Sequence, residues 1–252
     1  DENARLYPDR EAVADSKTRL TWRQAKEWID RLAIGFLKDG FKKDDVLVVQ
    51  LPNSVELTLL RVAAEKAGLL CVPALRTLRH REMEYILSLT GARGIVSLRE
   101  YRGFNYLDMV KEIRPQLPGL EYIYIAGVNP PEGTISLKGM VEAPVDESYP
   151  VDYLDGVKMP WNEYSTIAHT SGTTGFPKFV EHPICSLMRL GNSTVKAYGL
   201  TKDDVVAALS PAAFGPSLIA HICAPLAGAK IIMQEHFEAE EALQIIEREK
   251  AT

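Results

Sequence analysis

Cysteine is scarce in this chain, which has three among its 252 residues, Cys71, Cys185 and Cys223. They lie far apart and form no C-x-x-C pair. An odd number of isolated cysteines indicates reduced thiols in a cytosol-like compartment rather than a disulfide framework. We therefore expect a cytoplasmic protein whose cysteines belong to its core.

Long apolar runs and an excess of basic residues are missing as well. No uninterrupted apolar run approaches the ~18 residues of a membrane-spanning helix, so no membrane span is predicted. The net charge is −5 and the pI about 5.6, with lysine and arginine scattered along the chain. Proteins that bind nucleic acids usually carry a basic face, so nucleic acid is not expected as a partner. Because the chain starts at Asp1 and not at methionine, a removed targeting segment stays open.

The composition is that of a globular chain, with 46% apolar and 25% charged residues, and its length allows one large domain or two smaller ones. Strand and helix patterns alternate along it. Val46–Leu51 is a buried-strand run, the helix after it is capped by Asn53 and Glu56, and 69–72 is the next strand. This order predicts a βαβ unit with parallel strands and a right-handed crossover.

The same alternation holds on both sides of one irregular stretch. An early helix follows a capping box at 21–24, and a late helix at 238–250 is predicted to surround Leu243 and Ile246 with a solvated charged face. Further strands are predicted at 94–97, 122–125, 165–168, 205–209 and 230–233, and further helices at 81–90, 106–114, 186–197 and 217–226. From 127 to 160 the periodicity fails across five prolines. Such irregular stretches are typical of long connections.

These patterns predict an α/β fold of mostly parallel sheets flanked by helices. We divide the chain into a first α/β subdomain at 1–128, which includes the N-terminal strands. An irregular proline-rich connection at 129–160 leads to a second α/β segment at 161–252.

The most informative stretch is HTSGTTGFPKFV, residues 169–180. It follows an apolar segment and precedes a helical pattern, so we predict a loop between a strand and a helix. Its two glycines permit positive φ and close approach of the backbone to a ligand. Successive amides in such a turn can converge on an anion, and four hydroxyl residues and Lys178 add donors and a positive charge. This chemistry suits phosphate, although most Gly/Ser/Thr clusters are ordinary turns.

Two common nucleotide-binding patterns do not fit this loop. A Walker loop requires G-x-x-x-x-G-K-[ST], whereas here Gly175 is followed by Phe-Pro-Lys and Phe179 follows the lysine. Pro177 also removes an amide and prevents an immediate helix interior. The G-x-G-x-x-G fingerprint of dinucleotide-binding folds does not occur in the sequence.

Residues 170–178, TSGTTGFPK, resemble the phosphate-loop signature of the adenylate-forming superfamily. This superfamily includes acyl- and aryl-CoA synthetases, peptide-synthetase adenylation domains and luciferases. Similarity extends over nearly the whole chain, through YPDREAV (7–13), LPNSVELTLLRVAAEKAGLLCVP (51–73) and LAGAKIIM (226–233). The resemblance implies that the chain is the first half of the large N-terminal domain of such an enzyme.

The resemblance also implies a two-step reaction. A substrate carboxylate attacks the α-phosphorus of ATP and releases pyrophosphate, and a thiol, commonly that of coenzyme A, then takes the acyl group. Phosphoryl chemistry of this kind depends on positioning and preorganised positive groups. The implied ligands of the β- and γ-phosphates, which Mg²⁺ would bridge, are Thr170, Ser171, Gly172, Thr173, Thr174, Gly175 and Lys178. The expected partner is a small-molecule carboxylic acid, and a homodimer is left open.

Two positions depart from the family pattern. Phe179 stands where the family usually has glycine, which would stiffen the loop or fill space beneath it. The segment SPAAFGPS (210–217) aligns with one that in many members reads P-x-F-H and shapes the carboxylate pocket. Ala213, Phe214 and Gly215 are therefore the predicted acid-pocket residues, with Phe214 either a wall of that pocket or a core residue.

The family's adenine-contacting segment, ribose-binding aspartate, magnesium-associated glutamate and C-terminal lysine find no match in this sequence. We therefore expect a fragment that is inactive alone. No histidine is assigned a catalytic role, and the histidine spacing predicts no metal site. The leading hypothesis is an acid–CoA ligase. The alternatives are an aryl-acid adenylating enzyme that passes its product to a carrier-protein thiol, and a non-catalytic module that binds phosphates or a partner.

Overall fold

The computed structural model describes residues 1–127, 129–143, 148–150, 152–170, 177–211 and 215–252, with the side chains of 216 and 218 excepted. The strands are β1 (Glu11–Ala14), β2 (Arg19–Thr21), β3 (Val46–Val49), β4 (Leu70–Pro73), β5 (Gly94–Ser97), β6 (Glu100–Tyr101), β7 (Phe104–Asn105), β8 (Tyr122–Ile125), β9 (Ile135–Ser136), β10 (Tyr164–His169), β11 (Phe179–Pro183), β12 (Val205–Ala208) and β13 (Lys230–Met233). The helices are α1 (Glu2–Leu6), α2 (Trp22–Lys38), α3 (Val55–Lys66), α4 (His80–Leu89), α5 (Tyr106–Ile113), α6 (Leu137–Glu142), α7 (Tyr153–Val157), α8 (Ile184–Tyr198), α9 (Gly215–Ala227) and α10 (Ala239–Glu249).

Two larger sheets and a two-stranded ribbon organise these elements. The seven-stranded sheet has the order β11-β10-β4-β3-β5-β8-β9 and is parallel apart from the antiparallel pair of β10 and β11. The four-stranded sheet has the order β12-β13-β1-β2 and is parallel apart from β1 and β2. The predicted α/β class with mostly parallel sheets is confirmed, and so are the parallel strands of the βαβ unit β3-α3-β4.

The sheets do not follow the three predicted sequence segments. The N-terminal strand β1 pairs with β13 from the far end of the chain and with β2 on its other side, and β10 joins the sheet of the first segment. The stretch 129–160, expected to be irregular, contains β9, α6 and α7. Leu137, Val141 and Leu154 of this stretch are buried in the core of the seven-stranded sheet. Elements of two to six residues are too short to show a periodicity, which is why the sequence pattern concealed them.

The central strand β3 is buried on both faces, as its unbroken VLVV run predicts for a parallel strand. Leu47 and Val49 pack on one face, in a cluster with residues of α2 and α3. Val46 and Val48 pack on the other face, in a cluster with residues of α4 and α5. Helices therefore cover both sides of the sheet, and its carboxyl edge is left for loops.

Helix starts follow local side-chain chemistry. The predicted capping box is present, because the N–H of Gln24 donates to Oγ1 of Thr21 and the N–H of Thr21 donates to Oε1 of Gln24. The predicted cap of α3 was wrong, because Ser54 and not Asn53 accepts the N–H of Leu57. The side chain of Asn53 donates instead to the carbonyl oxygens of Ala208 and Ser210.

The last helix turns a different face to the core than predicted. In α10 the buried side chains are Ala242 and Ile245, while Leu243 is 68% exposed. Leu243 and Ile246 therefore belong to the outer face. The packing contacts come from Ala242 and Ile245, each one residue earlier along the helix.

Candidate functional site

The phosphate-loop segment closes a β-hairpin and does not lead from a strand directly into a helix. β10 ends at His169, β11 begins at Phe179, and the two strands are antiparallel, with His169 paired to Phe179. Helix α8 starts only after β11, at Ile184. The strand FVEHP was missed because its five residues alternate weakly and end in proline.

Two hydrogen bonds clasp the base of this loop. The N–H of Thr170 donates to the carbonyl oxygen of Lys178 at 2.9 Å, and the N–H of Lys178 donates to Oγ1 of Thr170 at 3.0 Å. Both residues are exposed, and within the described ranges Lys178 has no ion-pair partner. Thr170 therefore shapes the loop with its hydroxyl oxygen and keeps its O–H as a donor. Five other predicted phosphate ligands lie outside the described residues: Ser171, Gly172, Thr173, Thr174 and Gly175.

Phe179 anchors the hairpin to the helical layer. Its ring lies 6.2 Å from that of Tyr85 on α4 and 6.3 Å from that of His169, measured between centroids. It is half-buried and packs against the core cluster of α4 and α5. The side chain that replaces the usual family glycine thus packs against the helical layer.

The predicted acid segment connects β12 to α9. Ala213 and Phe214 lie outside the described residues, and Gly215 is the first residue of α9. Hydrogen bonds hold the described residues on either side of Ala213 and Phe214: the carbonyl oxygen of Ser210 accepts from Nδ2 of Asn53 at 2.8 Å and from Oγ of Ser217 at 2.7 Å.

Helix α9 is also bonded to α3. Nδ1 of the buried His221 lies 2.9 Å from Oγ1 of Thr58, and its Nε2 is buried without a partner within the described part of the chain. Burial, with a smaller contribution from the positive charge of Arg61, lowers the pKa of His221 to about 4. The imidazole is therefore neutral near pH 7 and links the two helices as an uncharged group.

A cavity of about 210 Å³ lies where the carboxyl ends of two parallel strand pairs meet, β3 and β4 of one sheet and β12 and β13 of the other. We call it the carboxyl-end cavity; it is lined by 51–53 after β3, 74–77 after β4, 209 and 211 after β12, and 234–237 after β13. Ligands of open α/β sheets bind outside the carboxyl ends of the strands. The phosphate-loop hairpin follows β10, the neighbour of β4, and Pro211 of the acid segment lines the cavity. Both predicted site segments therefore border this edge.

The sequence did not indicate a functional role for Asn53, Arg76 or His221. The chain offered a weak signal for Asn53, a polar residue directly after a buried strand and Pro52. It offered none for the pairing of His221 with Thr58, because those residues are 163 positions apart.

The described ranges contain neither a cluster of metal ligands nor a membrane-spanning helix. No three histidine, cysteine, aspartate or glutamate side chains come together there as a metal site requires. No helix of the described chain is both long and apolar enough to span a membrane.

Comparison with known proteins adds independent evidence. The chain is 28% identical over 279 residues to the mitochondrial medium-chain acyl-CoA ligase ACSF2 of Mus musculus, covering 100% of this chain and 44% of that protein. It is 29% identical over 266 residues to the 2,3-dihydroxybenzoate-AMP ligase of Bacillus subtilis (strain 168), covering 100% and 45%. The chain thus spans slightly less than half the length of the curated relatives it matches.

Solved structures share the fold. A putative long-chain-fatty-acid CoA ligase from Rhodopseudomonas palustris CGA009 superposes with a TM-score of 0.85 at 25% identity, covering 100% of this chain and 60% of that one. The anthranilate CoA ligase AuaEII in complex with anthranoyl-AMP gives a TM-score of 0.83 at 23% identity, covering 100% and 47%. The family model described as AMP-binding enzyme matches residues 1–252. The chain belongs to the AMP-binding family of adenylate-forming enzymes.

Proposed function

We propose that the whole protein activates a carboxylic acid with ATP to an acyl-adenylate and then transfers the acyl group to coenzyme A. The observation that carries this proposal is the segment TSGTTGFPK at the carboxyl edge of the sheet, where Thr170 and Lys178 clasp the base of its loop. The family match over 1–252 and the similarity to CoA ligases support the same reaction.

In this proposal the loop residues bind the polyphosphate of ATP. The residues Thr170 to Gly175 offer amide and hydroxyl donors to the β- and γ-phosphates, and Lys178 adds a positive charge. The exposed Lys178 has no ion-pair partner within the described ranges, so its charge is available to an anion. Donors fixed before the reaction stabilise charge that develops on phosphoryl oxygens. Mg²⁺ enters the proposal only as a companion of the ATP phosphates.

The acid is proposed to bind beside the same edge. Ala213, Phe214 and Gly215 form part of its pocket, in the segment that connects β12 to α9. Asn53 and Ser217 support this role, since both donate to Ser210 and fix the start of the segment. Holding Ser210 in place helps the segment to position the carboxylate, and positioning is a large part of catalysis in such reactions.

A second candidate is an aryl-acid adenylating enzyme that passes its product to a carrier-protein thiol. Its support is the 29% identity to a 2,3-dihydroxybenzoate-AMP ligase and the 27% identity to a salicylyl-CoA synthase / salicylate adenylyltransferase of a Streptomyces species. The two candidates share the first step and differ in the thiol.

Acid-dependent ATP–pyrophosphate exchange over a panel of aliphatic and aromatic acids tests the first step in the whole protein. Thioester formation with coenzyme A, compared with a phosphopantetheinylated carrier protein, then separates the two candidates. Exchange with none of the acids, alongside retained binding of ATP, would favour the non-catalytic module.

A further inference from the structure

Arg76 lines the carboxyl-end cavity with a half-buried side chain. Its Nη2 donates to Nδ1 of His236 at 3.2 Å, so that an imidazole and no carboxylate is its side-chain partner within the described ranges. Charges removed from water are normally paired in proteins. An unpaired guanidinium at a cavity therefore indicates a place for an anion.

The surroundings hold Arg76 in position without a ligand. Its guanidinium carbon lies 5.0 Å from the centre of the Tyr101 ring. Its carbonyl oxygen accepts from the hydroxyl of Tyr106 at 3.0 Å and from Nη1 of Arg79 at 2.8 Å. A side chain that is ordered in advance loses less conformational entropy when it binds a partner.

Nearby carboxylates are engaged with other groups. Glu235 lines the same cavity, and both of its carboxylate oxygens accept from Nζ of Lys17 at 3.0 Å. Glu238 lies 3.5 Å from Nε2 of His236, on the side of the imidazole away from Arg76. The positive charge of Arg76 is therefore not neutralised at short range by either carboxylate.

The walls decide which anion fits. More than half of the lining residues are apolar or proline, among them Leu51, Leu75 and Leu209. A single guanidinium above apolar walls suits an amphiphilic monoanion, because its planar fork matches a carboxylate with two parallel hydrogen bonds.

We propose that the carboxyl-end cavity binds a small carboxylate with an apolar body, and that Arg76 binds its carboxylate group. The inference rests on the proposed function in taking the substrate acid as this ligand. Since β4 and β10 are neighbouring parallel strands, the loop that carries Arg76 lies beside the phosphate-loop hairpin. Arg76 therefore holds the acid at the same edge as the ATP phosphates.

Isothermal titration of the protein with benzoate, octanoate and the neutral isostere benzamide, without ATP, tests this site. Arg76→Gln should weaken benzoate and octanoate binding ~10- to 100-fold, the scale of lost charge-assisted hydrogen bonds. Benzamide binding should change little. Arg76→Lys keeps the positive charge and loses the planar fork, so its affinity for benzoate and octanoate should lie between those of the wild type and Arg76→Gln. Arg189→Gln, at an exposed position of α8, is the matched control and should bind like the wild type.

Three results would overturn the inference: no binding of either acid, equal binding by the wild type and Arg76→Gln with unchanged thermal melting, or displacement of benzoate by millimolar inorganic phosphate. The ATP–pyrophosphate exchange assay distinguishes failure of the Arg76 site from failure of the proposed function. Exchange that persists in Arg76→Gln with an unchanged KM for the acid removes the site and keeps the function. Arg76-dependent benzoate binding without exchange for any acid keeps the site and removes the function.

Discussion

Glu249, at the end of α10, lies at the centre of an ion-pair cluster that joins three elements. Its carboxylate accepts from Arg19 of β2 and from Nζ of Lys230 of β13, the latter at 2.7 Å. Its side chain is 7% exposed. Hydrogen bonds from Arg19, opposed by burial and reinforced by Lys230, lower the pKa of Glu249 from 4.5 to about 2. The ionised form is therefore favoured by folding, and its contribution to stability depends on pH.

We predict that Glu249→Gln lowers the free energy of unfolding most above pH 4.5. Because the folded-state pKa is depressed, the contribution is fully present above the unfolded-state pKa and is lost as the pH falls towards about 2. Urea unfolding of both proteins between pH 7 and pH 3 measures it. Protonation of His221 also destabilises the folded state in acid, so the difference between the two proteins is the quantity to follow. A difference independent of pH would contradict the role of the Glu249 charge.

At the phosphate loop, Lys178→Ala should slow adenylation ~10- to 100-fold, as the loss of a charge-assisted hydrogen bond to phosphate predicts. Thioester formation from supplied acyl-adenylate should stay nearly unchanged, because only the first step handles pyrophosphate. Exchange kinetics and single-turnover thioester formation in the whole protein measure the two steps. Lys196→Ala, at an exposed position of α8, is the control. Equal losses in both steps would indicate a structural role for Lys178.

At the scale of elements, helices α8 and α9 approach closely at Gly191. A Cβ at this position would lie 2.5 Å from Cδ1 of Leu226 and 2.7 Å from Cγ2 of Ile222. Overpacking costs typically ~1–3 kcal/mol, which exceeds the ~1 kcal/mol gained in helix propensity when glycine becomes alanine. We therefore predict that Gly191→Ala destabilises the protein, as measured by urea unfolding.

The matched control for Gly191 is Gly156→Ala in α7, where a Cβ would meet nothing within 4 Å. This variant should be as stable as the wild type or slightly more stable, since alanine restricts the unfolded chain. Equal stability changes in the two variants would show that α8 and α9 do not need close approach at Gly191.

Asn53 connects the end of β3 to the end of β12. Asn53→Asp removes the donor to Ser210 and places a carboxylate against the carbonyl oxygens of Ser210 and Ala208. We expect a loss of at least ~1–3 kcal/mol in the free energy of unfolding. Asn192→Asp, at an exposed position of α8, should change it by less than ~0.5 kcal/mol. Equal effects in urea unfolding would show that the buried bond of Asn53 contributes nothing.

Local patterns predicted the elements that are long or continuously buried. The run at Val46 and the capping box at Thr21 identify their strand and helix, because burial on both faces and reciprocal capping leave a mark within a few residues. β11 was missed because none of its residues is fully buried and it ends in proline, and α6 was missed because six residues are too few to show a helical period. In α10 the sequence allows two apolar faces, one with Leu243 and Ile246 and one with Ala242 and Ile245. The second face is buried because Ile245 packs against Ala14 and Ile232 of the sheet.

The candidate site was predictable where it is contiguous in sequence and not where it is assembled by folding. The composition of the segment 169–180 suits phosphate, and its resemblance to the family signature predicts that role from contiguous residues. Arg76 and His236 meet although they are 160 residues apart, because β4 and β13 belong to different sheets whose carboxyl ends face each other. Strand order is a property of the whole chain, and a local pattern does not contain it.

At the scale of the whole molecule, the four-stranded sheet combines strands from distant parts of the chain. Val13 of β1 pairs with Ile231 of β13, whereas Val48 of β3 pairs with Val72 of β4. The first pair spans 218 residues and the second spans 24. Closing the longer loop costs more entropy before any contact is gained. The pairing of β1 with β13 should therefore form late in folding.

This order is testable with Val13→Ala and Val72→Ala. Both variants remove two buried methyl groups from a four-residue strand. The loss of burial costs about 0.8 kcal/mol for each group before any cavity cost. If β1 docks after the folding transition state, Val13→Ala should mainly raise the unfolding rate and leave the main refolding phase nearly unchanged. Val72→Ala should slow refolding by the larger share of its stability loss, because β3 and β4 pair early. Stopped-flow refolding and unfolding in urea give both rates for each variant. A slower refolding phase in Val13→Ala than in Val72→Ala would show instead that the two chain ends meet first and that the seven-stranded sheet forms around them.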